Sequence, residues 1–364
     1  MHHRRAISAF HVALAASVLM LVFAAGAMGA PRSFYGIVPQ NSLTDADFDR
    51  MGQGRIGTLR TAVNWFAVDP GPAPDDYDWS SVDAVVAGAA RNGIDVLPFL
   101  YGTPDWVAQG LDGQACSECA TFAPTSDAAL AAWHTFVTDA VGRYGTGGQF
   151  WAENPGLTQN PIEVWQIWNE QNSATFYEPK PSPKAYAKLL DVSANAIRGR
   201  DPGADVILGG MAGLIGVKKA VTAWNYLAKL YKRKGVKNDF DGVAPHPYGQ
   251  RLKKVELQIN RTRAVMKQAG DAGASLWITE IGWGSQKGGN PLNRGRKGQA
   301  QSLKDAYKYF QKQRRKLKVK TVAWFTWTDS PNPICEWCPT AGLFDSALQP
   351  KPSWRALTKF TGGS

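Results

Sequence analysis

The stretch Val164-Trp-Gln-Ile-Trp-Asn-Glu-Gln-Asn172 decides how this chain is read. An apolar, aromatic run of strand length ends abruptly in Asn169-Glu170. An ionised side chain at the end of a buried strand is costly unless it is paired. A carboxylate placed there is therefore available to move a proton or to carry charge. A second strand-like run, Ser275 to Gly284 (SLWITEIGWG), ends its apolar part in Glu280. Two such strands point to a pair of carboxylates at the mouth of a barrel.

The segments around these two strands alternate regularly. Strand-like runs begin at Phe34, Thr58, Asp95, Val164, Asp205, Gly242, Ser275 and Thr321. Helical runs lie between them, with start signals at Thr44-Asp45, Ser80, Ser126 and Ser182. Eight βα units predict an α/β fold, a (β/α)8 TIM barrel, as one domain spanning residues 31–364. A doubly wound open sheet would need a glycine-rich phosphate loop after its first strand. Pro39-Gln40-Asn41 stands there instead.

Residues 1–30 read as a signal peptide: a basic start, His2-His3-Arg4-Arg5, then an apolar run with Ala25-Gly26-Ala27 near its end. Cleavage is expected near residues 27–30, giving a secreted, extracellular or cell-wall-associated chain with no membrane insertion after processing and a monomeric state. Cys116-Ser-Glu-Cys119 and Cys335-Glu-Trp-Cys338 have a spacing that zinc could use. Export favours disulfides instead. Two local bridges are preferred, a cross-link between the pairs is second and a metal site third. No metal and no cofactor is expected.

Charge is unevenly placed. Residues 31–200 carry 11 Lys and Arg against 19 Asp and Glu, and residues 201–364 carry 28 against 11. A solvated outer face explains this, and so does attraction to an anionic polymer or cell wall. Nucleic acid is not expected as a partner, because the chain has no recognisable binding module.

In barrels of this kind the active site lies at the C-terminal ends of the strands. That places Arg60 and Asn64 on strand two, Trp106 past strand three, Asn169 and Glu170 on strand four, and His246 and Tyr248 on strand six. Glu280 ends strand seven, and Trp327 and Asp329 end strand eight. Two carboxyl groups among hydrogen-bonding groups and aromatics suit cleavage of a glycosidic bond. No phosphate loop, zinc-protease helix or serine nucleophile elbow competes.

The chain resembles glycoside hydrolase clan A, in particular families 39 and 5. The resemblance is carried by Trp168-Asn-Glu170, Thr279-Glu-Ile-Gly-Trp283, His246-Pro-Tyr248 and Trp324-Phe-Thr-Trp327, and by Tyr77-Asp-Trp79, Tyr101-Gly-Thr-Pro-Asp-Trp106, Gly342-Leu-Phe-Asp345 and Lys351-Pro-Ser-Trp354. It implies that Glu170 is the acid/base and Glu280 the nucleophile, with retention of anomeric configuration. The carboxyl groups should then stand roughly 5–5.5 Å apart, and Glu170 has to hold a proton at rest. The resemblance further implies that Asn169 binds the sugar 2-hydroxyl and that Arg60 and Tyr248 aim Glu280. Trp327 would floor the cleaving subsite, with His246 a polar neighbour. The expected function is a secreted retaining β-glycoside hydrolase acting on a polysaccharide or glycan, with a preference for internal bonds. The alternative is a catalytically silent barrel that binds carbohydrate or cell wall.

Overall fold

The computed structural model describes residues 29–71, 77–213, 220–332 and 335–364. Most of the expected leader (residues 1–28) and residues 72–76, 214–219 and 333–334 lie outside the described residues. The body, Pro31–Ser364, is one compact unit. Its eight parallel strands are β1 (Tyr35–Val38), β2 (Thr58–Asn64), β3 (Asp95–Tyr101), β4 (Val164–Asn169), β5 (Asp205–Ala212), β6, β7 (Ser275–Ile281) and β8 (Val319–Phe325). The sixth comes in two pieces, Gly242–Val243 and Pro245–His246. Each strand pairs in parallel with the next, and β8 pairs back onto β1. The sheet therefore closes, and the expected (β/α)8 barrel is the fold.

The helices form where the sequence signals them. Thr44 caps α1 (Asp45–Gln53) in a reciprocal capping box with Asp47. Ser126 caps α5 (Asp127–Tyr144), and Ser182 caps α7 (Pro183–Arg200), which has Pro in its first turn. On α5, Leu130, Trp133, Phe136, Val137, Val141 and Tyr144 recur at helical spacing and are buried. Each large side chain contributes about 1.5–3 kcal/mol by leaving water. Further round the wall lie α9 (Leu252–Gln268) and α10 (Gly295–Leu317), with α11 (Pro352–Thr361) closing the chain. Short helices also occur at α2 (Trp65–Val68), α4 (Asp105–Gly110) and α6 (Gln149–Glu153), which residue pattern does not announce. Ala223–Leu230 is α8, and α3 is Ser80–Arg91.

Both C-x-x-C pairs close on themselves: Cys116 bonds Cys119, and Cys335 bonds Cys338. Among the described residues no helix is long and apolar enough to cross a membrane.

Candidate active site

β4 turns sharply as it reaches the mouth. Trp168 and Glu170 both adopt positive φ, 69° and 43°, which costs a non-glycine residue of order 1–3 kcal/mol. Neighbouring bonds hold the turn. The Trp168 indole donates to the Phe176 carbonyl at 2.7 Å, and the Glu170 amide donates to the Gly210 carbonyl at 2.6 Å. Asn172 then grips β5 through the Ala212 carbonyl and amide. The result presents the Asn169 and Glu170 side chains together at the strand ends.

Arg60 is the centre of the arrangement. Its side chain is 0% exposed, and its guanidinium lies 4.2 Å from the centroid of the Phe99 ring. Nη1 donates to Glu280 Oε1 at 2.6 Å, Nη2 to Asn169 Oδ1 at 2.8 Å and Nε to Gln166 Oε1 at 2.7 Å. One planar cation thus fixes the nucleophile candidate and the amide beside it. Gln166 in turn donates to the Leu208 carbonyl at 3.0 Å.

Glu280 has a second partner on its other oxygen: the Tyr248 hydroxyl donates to Oε2 at 2.6 Å. Burial by itself would raise the Glu280 pKa. The nearby His246, the Arg60 cation and the Tyr248 and Arg60 hydrogen bonds outweigh burial and hold it below the ordinary glutamate value. Burial, then the Glu280 anion, pushes Tyr248 well above the usual phenol range, so its proton stays in place to be donated.

His246 ties the two carboxyl groups together. Its Nδ1 is 3.0 Å from Glu170 Oε1 and 3.5 Å from Glu280 Oε2, and its Nε2 is 3.0 Å from the Thr279 hydroxyl. The nitrogen that faces two carboxyl groups is the one suited to carry the proton. Gly210 makes room for this ring, since a Cβ there would come within 1.9 Å of His246 Nε2.

Each of Glu170, His246 and Glu280 brings one donor atom into a group lying within 4.8 Å of one another. One oxygen of each carboxyl group thus lies within 4.8 Å of the other, closer than the about 6.5–9.5 Å by which an inverting pair admits a water. A divalent ion could use the same three donors. It would compete for Glu280 with the guanidinium and the phenol already bound there.

The other residues singled out by sequence are placed differently. Asn64 closes β2 opposite Tyr101 in register, half-buried, with no hydrogen bond to either glutamate. Trp106 sits in α4 with its indole nitrogen buried near Asp69 and makes no hydrogen bond to either glutamate.

Trp327 requires a correction. Its indole donates to Asp47 of α1 at 2.9 Å, and its ring packs on Phe344 and Trp354, so it belongs to the seam where the tail meets the barrel. β8 ends at Phe325, so strand alternation no longer aims Trp327 at the mouth. Asp329 likewise pairs with the buried Lys351 rather than with the site. The aromatic wall beside Tyr248 is made by Phe325 and Trp337, with ring centroids 6.3 and 5.1 Å from the tyrosine. Trp337 lies inside the ring closed by Cys335 and Cys338, which restricts where its indole can go. Tyr101, packed 4.7 Å from the Trp168 ring, is the nearby tyrosine that sequence reading left without a role. Burial, then Glu170 and Glu178, pushes its pKa up.

No family model and no curated protein matches the chain. Solved structures do. A family 39 glycoside hydrolase from Bacteroides cellulosilyticus WH2 superposes with a TM-score of 0.67 at 20% identity, over 91% of this chain and 64% of that one. A family 39 β-xylosidase from Caulobacter crescentus gives 0.62 at 22%, over 92% and 72%. Xylanase 10B from Thermotoga maritima gives 0.62 at 18%, over 92% and 96%. The chain thus spans just under two thirds of the length of the Bacteroides hydrolase and nearly all of the xylanase. At these identities the likeness establishes a shared barrel fold.

Proposed function

We propose that the chain is a retaining β-glycoside hydrolase working by double displacement. The observation that carries this reading is the Glu170–Glu280 pair, close-set and unequally surrounded. Glu280, ionised and held on both oxygens, attacks the anomeric carbon as Glu170 donates its proton to the departing glycosidic oxygen. The glycosyl ester on Glu280 is then opened by water, with Glu170 taking the proton back. Arg60 and Tyr248 must loosen their hold as Glu280 loses its charge, and regain it as the carboxylate departs. Asn169, fixed by Arg60, is placed to bind a sugar hydroxyl next to the reacting carbon.

Substrates are proposed from the company the fold keeps. Relatives in shape are named as xylosidases and xylanases, so β-xylosides and xylan head the panel. Attack within a chain is supported by aromatic surface beyond the reacting centre: Phe66, directly after β2, is 45% exposed. Export is supported by the cysteines, all four of which are used in the two bridges, as an oxidising compartment would produce. A monomer and attachment to a cell wall belong to the same reading.

The test is the stereochemistry of the first turnovers, followed by proton NMR on an aryl β-xyloside, aryl β-glucoside and oligosaccharide panel. A β-configured first product is expected. An α-configured product rules out double displacement, and no turnover of any member by correctly folded protein favours a silent, sugar-binding barrel.

A further inference from the structure

The outer wall of the barrel carries a feature that catalysis does not use. α10 contains eight Lys and Arg and a single acid, Asp305. Lys297, Lys304, Lys308, Lys312 and Arg315 recur at intervals that place them on one helical face, and all five are exposed. Gln301 fills the gap in the row, so the stripe is continuous over roughly 27 Å of helix. Among the described residues none of the five has an ion-pair partner; Arg296, on another side of the helix, pairs with Asp345. The neighbouring α9 adds five further cations against one acid.

Such a row works against the helix that carries it. Lys304, Lys308 and Lys312 are like-charged i,i+4 neighbours, and each such pair disfavours the helix. Arg296 and Lys297 stand in the first turn, where the helix dipole disfavours cations. A ligand with regularly spaced negative charges would relieve both. α10 begins just after β7, so the stripe starts at the rim of the mouth and runs down the wall. At that rim Arg251 and Arg294 face a common hollow of about 200 Å³ together with Gln250, Gln301 and Asp305.

We propose that the outward face of α10 is a binding surface for an acidic polysaccharide, holding a polymer whose carboxylates track the lysine row from the rim of the cleft. The choice of a polysaccharide among polyanions rests on the glycosidase reading above. It also agrees with the surface: among the described residues the exposed large apolar ones are Phe66, Leu111, Leu257 and Leu348, and none lies on α10 to enter a bilayer.

The experiment measures binding without turnover, using the Glu280→Gln chain against polygalacturonate, neutral xylan, duplex DNA and phosphatidylglycerol vesicles. A second protein adds Lys304→Glu, Lys308→Glu and Lys312→Glu, three exposed positions outside the catalytic machinery. Polygalacturonate should bind, losing at least about tenfold in affinity between about 50 and about 300 mM salt. The reversed stripe should lose about tenfold or more at low salt. With Glu280 restored, the stripe variant should hydrolyse a small neutral aryl glycoside as the parent does. Equal binding by the reversed stripe, salt-independent binding, or tighter binding of DNA or vesicles than of polygalacturonate overturns the proposal. Stripe-dependent polygalacturonate binding by a chain that hydrolyses no glycoside upholds the surface and rejects the glycosidase reading instead.

Discussion

Glu170 and Glu280 share a mouth, but their surroundings differ. Glu280, with a side chain 11% exposed, is gripped on one oxygen by a buried guanidinium and on the other by a phenol. Glu170, at 14%, has among the described residues one side-chain hydrogen bond, to the ring nitrogen of His246. Exposure barely separates them; the partners do. A carboxylate fixed by charge-assisted donors on both oxygens is kept ionised and aimed, as a nucleophile must be. A carboxyl without charge-assisted donors on both oxygens keeps an oxygen open to a departing glycosidic oxygen, as an acid/base must. The two roles follow from which segments supply donors: Arg60 on β2 and Tyr248, two residues past the end of β6, hold Glu280, and His246 at the end of β6 is the side chain that Glu170 hydrogen-bonds.

Substitutions should separate the two sides. The largest effect is expected from Glu280→Gln, which removes the attacking group and should lower kcat by roughly 10⁴-fold or more while the melting curve stays cooperative. Glu170→Gln should cost about 10²–10⁴-fold on substrates with poor leaving groups and much less on a nitrophenyl glycoside, which needs no proton. Equal losses on both substrates would erase the distinction between the two glutamates.

Next comes Tyr248→Phe, which removes a donor from the Glu280 anion and should reduce kcat by about 10²-fold. It also moves the pH profile. Because the folded pKa of Glu280 is depressed, the stability this group contributes is present above the ordinary value of 4.5 and is lost as pH falls through the lower folded value, where activity is lost too. Without the Tyr248 hydroxyl that acidic limb should move up in pH, and an unmoved limb would mean that the bond does not hold the charge. The smallest effect concerns the two tryptophans. Trp327→Phe should cost about 1 kcal/mol of stability through its bond to Asp47 and leave kcat/KM unchanged. Trp337→Ala should lower kcat/KM by about tenfold through Tyr248, with its acidic limb shifted in the same direction as in Tyr248→Phe.

The barrel was legible because alternation of strand and helix survives in composition alone, and Glu170 and Glu280 because a charge at the end of an apolar strand stands out. Arg60 was visible for the same reason in Thr58–Asn64. Legibility fails where chain geometry departs from the regular period. The sixth strand breaks at Ala244, beside prolines 245 and 247, which lack the amide hydrogen a ladder uses. Trp327 looked like a strand-end residue, but its strand had already ended two residues earlier. Trp337 had no strand to place it; the one hint was its position between two cysteines three apart. The lysine row of α10 was visible as composition, but its unpaired, one-sided arrangement needed the helix.

The claim that two unequal carboxyl groups divide the reaction is tested most directly by trapping the intermediate. The protein is incubated with 2-deoxy-2-fluoro-β-xylosyl and β-glucosyl fluorides, digested, and mapped by mass spectrometry. The account predicts a single fluoroglycosyl adduct on Glu280, formed more slowly when Tyr248 is Phe. An adduct on Glu170 or on any other residue would contradict it.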